Sequence, residues 1–354
     1  MKTRLLALSL AALSIGACKK TSNNNNATAV TSSEIVTDFV QKIVLPQYQS
    51  LQDKATSLNN AINTLNTTPS AANLASAQQA WRDTRSVWEQ CEGFLIGPVE
   101  DDNYDPNMDT WPVDYRQLDS LISNSASLNA ATVQSLGQSL RGFHPLEFIL
   151  WGQSGNATVD SITAKQKQYM SGLAQDILNT VTALNTSWAV SAGNFQAVVL
   201  TAGAGSARYA TRKDAVLAMA GGMADICDEV GNGKIADPFT TRDSTKTESP
   251  FSHNSMLDFI NNIKGAQNVY LCSFSGSAGA SLSSYVNANN ISLDNTIKTQ
   301  FDAAITALTT VSGTFETAIF SQRTQLQNAM NAINTLHATL DGDLKTYIQT
   351  YVKD

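Results

Sequence analysis

Histidine is nearly missing from this chain: 354 residues hold three, His144, His253 and His337. A zinc-peptidase helix needs two histidines flanking a glutamate, as HExxH or HxxEH. Neither occurs, and the inverted form fails at Phe148. Cysteine is also sparse. Besides Cys18 there are Cys91, Cys227 and Cys272, with no C-x-x-C spacing, which excludes a thiolate metal site and a disulfide framework. One bond among the three would remain open in an oxidising compartment. Charged residues make up only 15%, and the formal net charge is −7, which makes the chain a poor candidate for nucleic acid. No run reaches the roughly 18 apolar residues of a membrane-spanning helix. Period-2 strand patterning is missing too. Gly203-x-Gly205 and Gly221-Gly222 follow no strand, which excludes a phosphate loop.

The first residues carry an address. Lys2 and Arg4 precede the apolar run Leu5 to Ala17, the length of a signal segment. It ends in Leu13-Ser-Ile-Gly-Ala-Cys18, which resembles a bacterial lipobox, so residues 1–17 are expected to be removed and Cys18 lipidated. Their removal takes Lys2 and Arg4 and moves the net charge from −7 to −9. Residues 18–33, with four consecutive asparagines, read as a flexible tether. The remainder exceeds one typical core, and divides into helical bundles over 34–190 and 191–354.

Apolar residues from Ile35 to Leu65 fall at helical spacing, with a bend expected at Pro46. A second helix runs from Ser70 to about Gly97. On it Trp81, Arg85, Trp88, Glu89 and Glu92 form one stripe of aromatic and charged groups. Tryptophans want burial, so Arg85 and Glu89 would lie in an internal polar site or a structural ion pair. Asp101, Asp102, Asp105 and Asp109 sit in a loop that lacks the EF-hand glycine and terminal glutamate. Short helices are expected at 115–123 and 130–140, and a long one from Thr163 to Trp188. In the second half a helix over 207–230 should stop at Gly231-Asn-Gly233, with Asp225, Asp228 and Glu229 in its last turns. Ser252 or His253 would cap the next helix, to Tyr270. A Gly/Ser-rich link (273–284) precedes helices over 291–337, broken near Gly313, and 339–352. The fold class is all-α, as two packed four-helix-bundle-like halves.

The chemistry centres on Gly142-Phe-His144-Pro-Leu-Glu147. Residues three apart share a helix face, so the His144 imidazole and Glu147 carboxylate point the same way. They are either half of a metal site or a structural hydrogen bond. Acids from the 85–92 stripe (Glu89, Glu92) or the 225–229 cluster would complete a one-histidine, several-carboxylate site suited to Fe, Mn or Zn. Ser249 and Ser252 are conceivable nucleophiles, but neither lies in a Gly-x-Ser-x-Gly elbow.

Five blocks, in order, resemble the imelysin-like lipoproteins, also called insulin-cleaving membrane peptidases. They are Trp81 to Pro98, Asp109-Thr-Trp111-Pro112, Gly142 to Gly152 with the family's GxHxxE motif, Asp228-Glu229 to Ile235, and Glu248-Ser249 to Ser255 including Ser252. The resemblance spans roughly 34–352. It implies two helical halves with the motif near their interface, and a periplasmic or outer-membrane protein, on the periplasmic side or the cell surface, tied to iron uptake. Three functions follow. The first is binding of a divalent or ferric ion, iron favoured over zinc, through His144, Glu147, Glu89 and Glu92, with iron-uptake components as partners and the membrane reached through Cys18. The second is a metallopeptidase with Glu89 or Glu92 as base. The third is a binding module for a polymer or protein partner.

Overall fold

Helix α1 (Ser32–Asp38) starts on a capping box, in which the Thr31 hydroxyl accepts from the Glu34 N–H and the Glu34 carboxylate accepts from the Thr31 N–H. The computed structural model describes residues 30–353. Residues 1–17, Cys18 and the tether up to residue 29 lie outside the described residues. The helix begins inside the stretch read as tether.

From α1 the chain passes through a π-turn (Phe39–Val44) into α2 (Leu45–Thr67) without a break. Pro46 has no N–H to give, and the ladder opens just before it, where the Leu45 N–H reaches back five residues to Val40. α3 (Ala71–Cys91) starts on the Ser70 cap and ends in a 3₁₀ turn, Glu92–Phe94. α4 (Phe143–Trp151) carries the His-Glu pair between Gly142 and Gly152, both at positive φ. α5 (Ala164–Trp188) closes this half, and α2 packs against both α3 and α5.

The second half is α6 (Arg212–Asp228), α7 (Ser255–Leu271), α8 (Ile291–Thr309) and α9 (Arg323–Ala338), each packed on its neighbours. The fold is all-α, as expected; among the described residues the strands are the two-residue β1 (Ser273–Phe274) and β2 (Ser277–Ala278) of one hairpin. The halves meet where α3 lies against α7, and α1 reaches across to α6. Small residues permit that approach: a Cβ on Gly265 would lie 2.3 Å from the Gln90 carbonyl oxygen, and one on Gly93 would lie 2.5 Å from the backbone of Gly265.

Several expected boundaries move. Gly231-Asn-Gly233 is not a stop; the helix continues as a π-turn (Glu229–Lys234) into Ala236–Thr241. The wide turn accommodates the glycines without a left-handed residue, since neither is at positive φ. Helix 130–140 shrinks to Ala130–Gln134. α7 begins after Asn254 without a side-chain cap, so Ser252 and His253 are free for other contacts. The Gly/Ser-rich link holds the hairpin and the start of a helix, Leu282–Asn289. The last helix is continuous with α9 through a third π-turn, Thr339–Leu344.

Candidate functional site

Arg85 lies at the centre, wholly buried on α3. Its guanidinium contacts Glu89 and Asp109, reaches Glu248 at 3.1 Å and lies 3.8 Å from Asp258. Phe143 and Trp81 cover it, with the guanidinium carbon 5.2 Å and 5.9 Å from their ring centroids. The stripe read from the sequence is therefore buried, and the Arg85–Glu89 pair is one edge of a larger network.

Asp109 ends the short helix Tyr104–Asp109 and links the network to α4. Its Oδ2 accepts from Trp88 Nε1 at 2.6 Å, and its Oδ1 lies 2.9 Å from His144 Nε2. Burial acts to raise the Asp109 pKa, but Arg85 and then the His144 hydrogen bond outweigh it and hold the carboxyl well below the usual range. Burial likewise pushes the His144 imidazolium down, while the hydrogen bond to Asp109 and the nearby Glu147 carboxylate overcome it and hold its pKa up at about 9. His144 Nδ1 faces Glu147 Oε2 at 3.5 Å, and both atoms are buried without a hydrogen-bond partner. Helix α4 is aimed by Gly142 at φ +84, where a Cβ would fall 2.0 Å from the Met108 carbonyl oxygen, directly beside Asp109.

The loop before α7 closes over this pair. Glu147 Oε1 accepts from the Phe251 N–H at 3.1 Å, the Ser252 N–H at 2.8 Å and the Ser252 hydroxyl at 2.6 Å. Ser249 donates to Asp258 at 2.7 Å. Neither serine contacts a histidine in these bonds, so they anchor carboxylates and do not form a nucleophile–base pair.

A second cation, Lys234, enters from the end of the middle π-turn. Its Nζ lies 2.9 Å from Glu248, 3.1 Å from Glu92 and 3.6 Å from each of Glu89 and Glu229, with the Trp111 ring centroid at 5.2 Å. Asn262 on α7 donates to Glu89 Oε2 at 2.7 Å. Burial pushes the Glu92 carboxyl up, as does neighbouring Glu89, against the pull of Lys234. Glu248 is also raised, chiefly by burial.

The structure thus brings Arg85, Glu89, Glu92, Asp109, Trp111, His144, Glu147, Glu248, Ser249 and Ser252 into one region. Asp225 and Asp228, expected as partners, are exposed, and Glu229 is half-buried and lies against Lys234. Sequence reasoning missed Lys234, Asp258 and Asn262. The last two were detectable as a polar pair four apart within the apolar rhythm of α7; Lys234 was obscured by the glycines read as a stop. His253 pairs instead with Glu316 at 2.9 Å, at the surface.

Buried carboxylates outnumber buried cations here. Glu89, Glu92, Asp109, Glu147, Glu248 and Asp258 face Arg85, Lys234 and one imidazole. Two sets bring ligand-type atoms within 4.8 Å of one another: Asp109 with His144 and Glu248, and Glu89 with Glu92 and Asp109.

The imelysin family model, which also carries the label peptidase M75, matches residues 44–341. The chain belongs to the imelysin family. A relative in Synechococcus elongatus, iron-regulated protein A, is 31% identical over 326 residues, covering 91% of this chain and 88% of its own. A crystal structure from Parabacteroides distasonis, assigned provisionally as an iron-regulated protein A precursor, superposes with TM-score 0.82 at 26% identity, over 90% of this chain and 95% of that one. An imelysin-like protein from Psychrobacter arcticus shares the fold at TM-score 0.73 and 14% identity, over 91% and 97%. The fold and the imelysin family are as the sequence blocks implied.

Proposed function

We propose that this imelysin-family protein binds a metal ion, iron in preference to zinc, at the buried acidic centre, as part of iron uptake. The carrying observation is the surplus of buried carboxylates over buried cations. Buried charge without a counter-charge is costly, and here burial raises several of these carboxyls. His144 Nδ1, Glu147 Oε2 and Glu248 Oε2 are buried without hydrogen-bond partners. One imidazole among carboxylates is a donor set for Fe or Mn as much as for Zn. The residues therefore fit a metal ion: His144 would hold it with Asp109 and Glu248, Glu147 lying 3.5 Å from His144 Nδ1, while Glu89 and Glu92 form the second set with Asp109. The protein's own part is to orient these donors, through Trp88 on Asp109 and the Phe251–Ser252 amides on Glu147. Iron is favoured because the Synechococcus relative is named for its regulation by iron. A lipid anchor at Cys18, holding the protein to the bacterial outer membrane beside iron-uptake components, belongs to the same proposal.

Equilibrium dialysis with ferrous, ferric and zinc ions tests it, on wild type, His144→Ala and Glu147→Gln, with circular dichroism to verify folding. Wild type should bind one iron more tightly than zinc, and the variants should lose it. Equal stoichiometry in folded wild type and His144→Ala would sink the proposal.

The metallopeptidase reading is favoured by the family label alone. His144 and Glu147 are 2% and 0% exposed, and the loop over Glu147 would have to open before a peptide bond reached them. Cleavage of an unfolded substrate that stops on adding chelator would revive it.

A further inference from the structure

Beside the buried centre, on the outer side of the loop that clamps Glu147, lies a pocket of about 390 Å³ that the metal reading does not use. Three half-buried aromatic side chains form one wall. The ring centroids of Tyr115, Phe148 and Phe251 are 5.2 to 5.7 Å apart, and all three residues line the pocket. Asp119 and Glu316 line it as well. Among the described residues no lysine or arginine does. Glu316 is held in place: its Oε2 meets His253 Nδ1 at 2.9 Å, and its side chain is 12% exposed. Its Oε1 is buried without a hydrogen-bond partner.

Each feature narrows the ligand. The volume is that of a small-molecule site. The carboxylates of Glu316 and Asp119 are acceptors, so the group that suits them is a donor or a positive charge. Two carboxylates without an opposing lysine or arginine reject anions by repulsion. Aromatic faces attract a cation through their quadrupoles and also cover its alkyl groups, which suits an alkylated ammonium better than a bare metal ion needing oxygen ligands. We infer that this pocket binds a small organic cation, an amine or methylated ammonium, between the faces of Tyr115, Phe148 and Phe251 and the carboxylates of Glu316 and Asp119. The occupant touches the clamp directly, because Phe148 follows Glu147 and the Phe251 N–H donates to it. The inference does not rest on metal binding.

Isothermal titration of the chelator-treated full chain tests it. The probes are choline, benzyltrimethylammonium and dimethylbutanol, the uncharged isostere of choline. The cations should bind one per chain, and the uncharged isostere about tenfold or more weaker. Glu316→Gln should weaken the cations about tenfold, and Tyr115→Leu should do so too. Asp119→Asn changes an exposed side chain, so a loss of cation affinity there reads charge without disturbing the fold. Thermal melts verify that the variants are folded. Absence of saturable binding at millimolar cation, equal binding of the uncharged isostere, or unchanged affinity in folded Glu316→Gln and Asp119→Asn would each overturn the inference.

Discussion

Arg85 shows why one residue type is needed at the centre. Its planar fork offers five donors in fixed directions, and four carboxylates from four separate chain segments converge on it. A lysine has the charge but no geometry to satisfy them together. Gly142 is equally constrained. Its backbone, at φ +84 and ψ −154, is nearly exclusive to glycine, and the Met108 carbonyl occupies the place of a Cβ. Gly142→Ala should cost at least about 1–3 kcal/mol from the backbone alone, more with the clash, as a lower midpoint in urea denaturation. Asp105 gives a pH test. Burial, then Asp109 and Glu229, raises its carboxyl from 3.8 to about 7. Between those values the folded chain keeps a proton that the unfolded chain has released, so folding stability falls as pH rises through this window and levels off above about 7. Asp105→Asn should therefore melt higher than wild type at pH 8 and close to it at pH 4. Parallel melting curves across that range would contradict the assignment.

At the scale of elements, the three π-turns are the informative feature. Each inserts a wide turn into a longer helix and shifts the face that follows. The middle one, Glu229–Lys234, follows the exposed Asp228 and brings Lys234 to Glu92 and Glu248. Lys234→Met should cost about 3–5 kcal/mol in urea denaturation, the loss expected when one partner leaves a buried charge cluster. Wild-type denaturation of Lys234→Met would show that Lys234 does not balance the buried carboxylates. This element was not legible in the sequence: Gly-Asn-Gly is ordinarily a helix stop, and its override comes from packing of the turn against α9. Helix α5 was legible nearly to the residue, because a capping box starts it, and the His144–Glu147 face of α4 lies between two glycines.

At the scale of the whole molecule, the site belongs to the joint between the halves. Glu89 and Arg85 come from α3, Asp258 and Asn262 from α7, and these helices approach at Gly93 and Gly265. Gly265→Val should separate them and lower the melting temperature. The near-ultraviolet signals of the tryptophans, all five of which lie in the first half, should be lost together with the helical signal of the whole chain, in one transition. Two transitions, with the Trp81 and Trp88 environment unchanged, would show that the halves are stable independently.

The sequence alone determined the all-helical class, most helix boundaries, the His144–Glu147 face and the membership in the imelysin family. Those properties are local: periodicity, caps, turn residues and motif order all act over a few residues. Only the tertiary structure decided which charges meet. Asp109 with His144, Arg85 with Glu248 and Lys234 with Glu92 are separated by 35, 163 and 142 positions. Their encounter depends on how two helical layers pack and on a π-turn's register, and neither leaves a periodic trace in the chain.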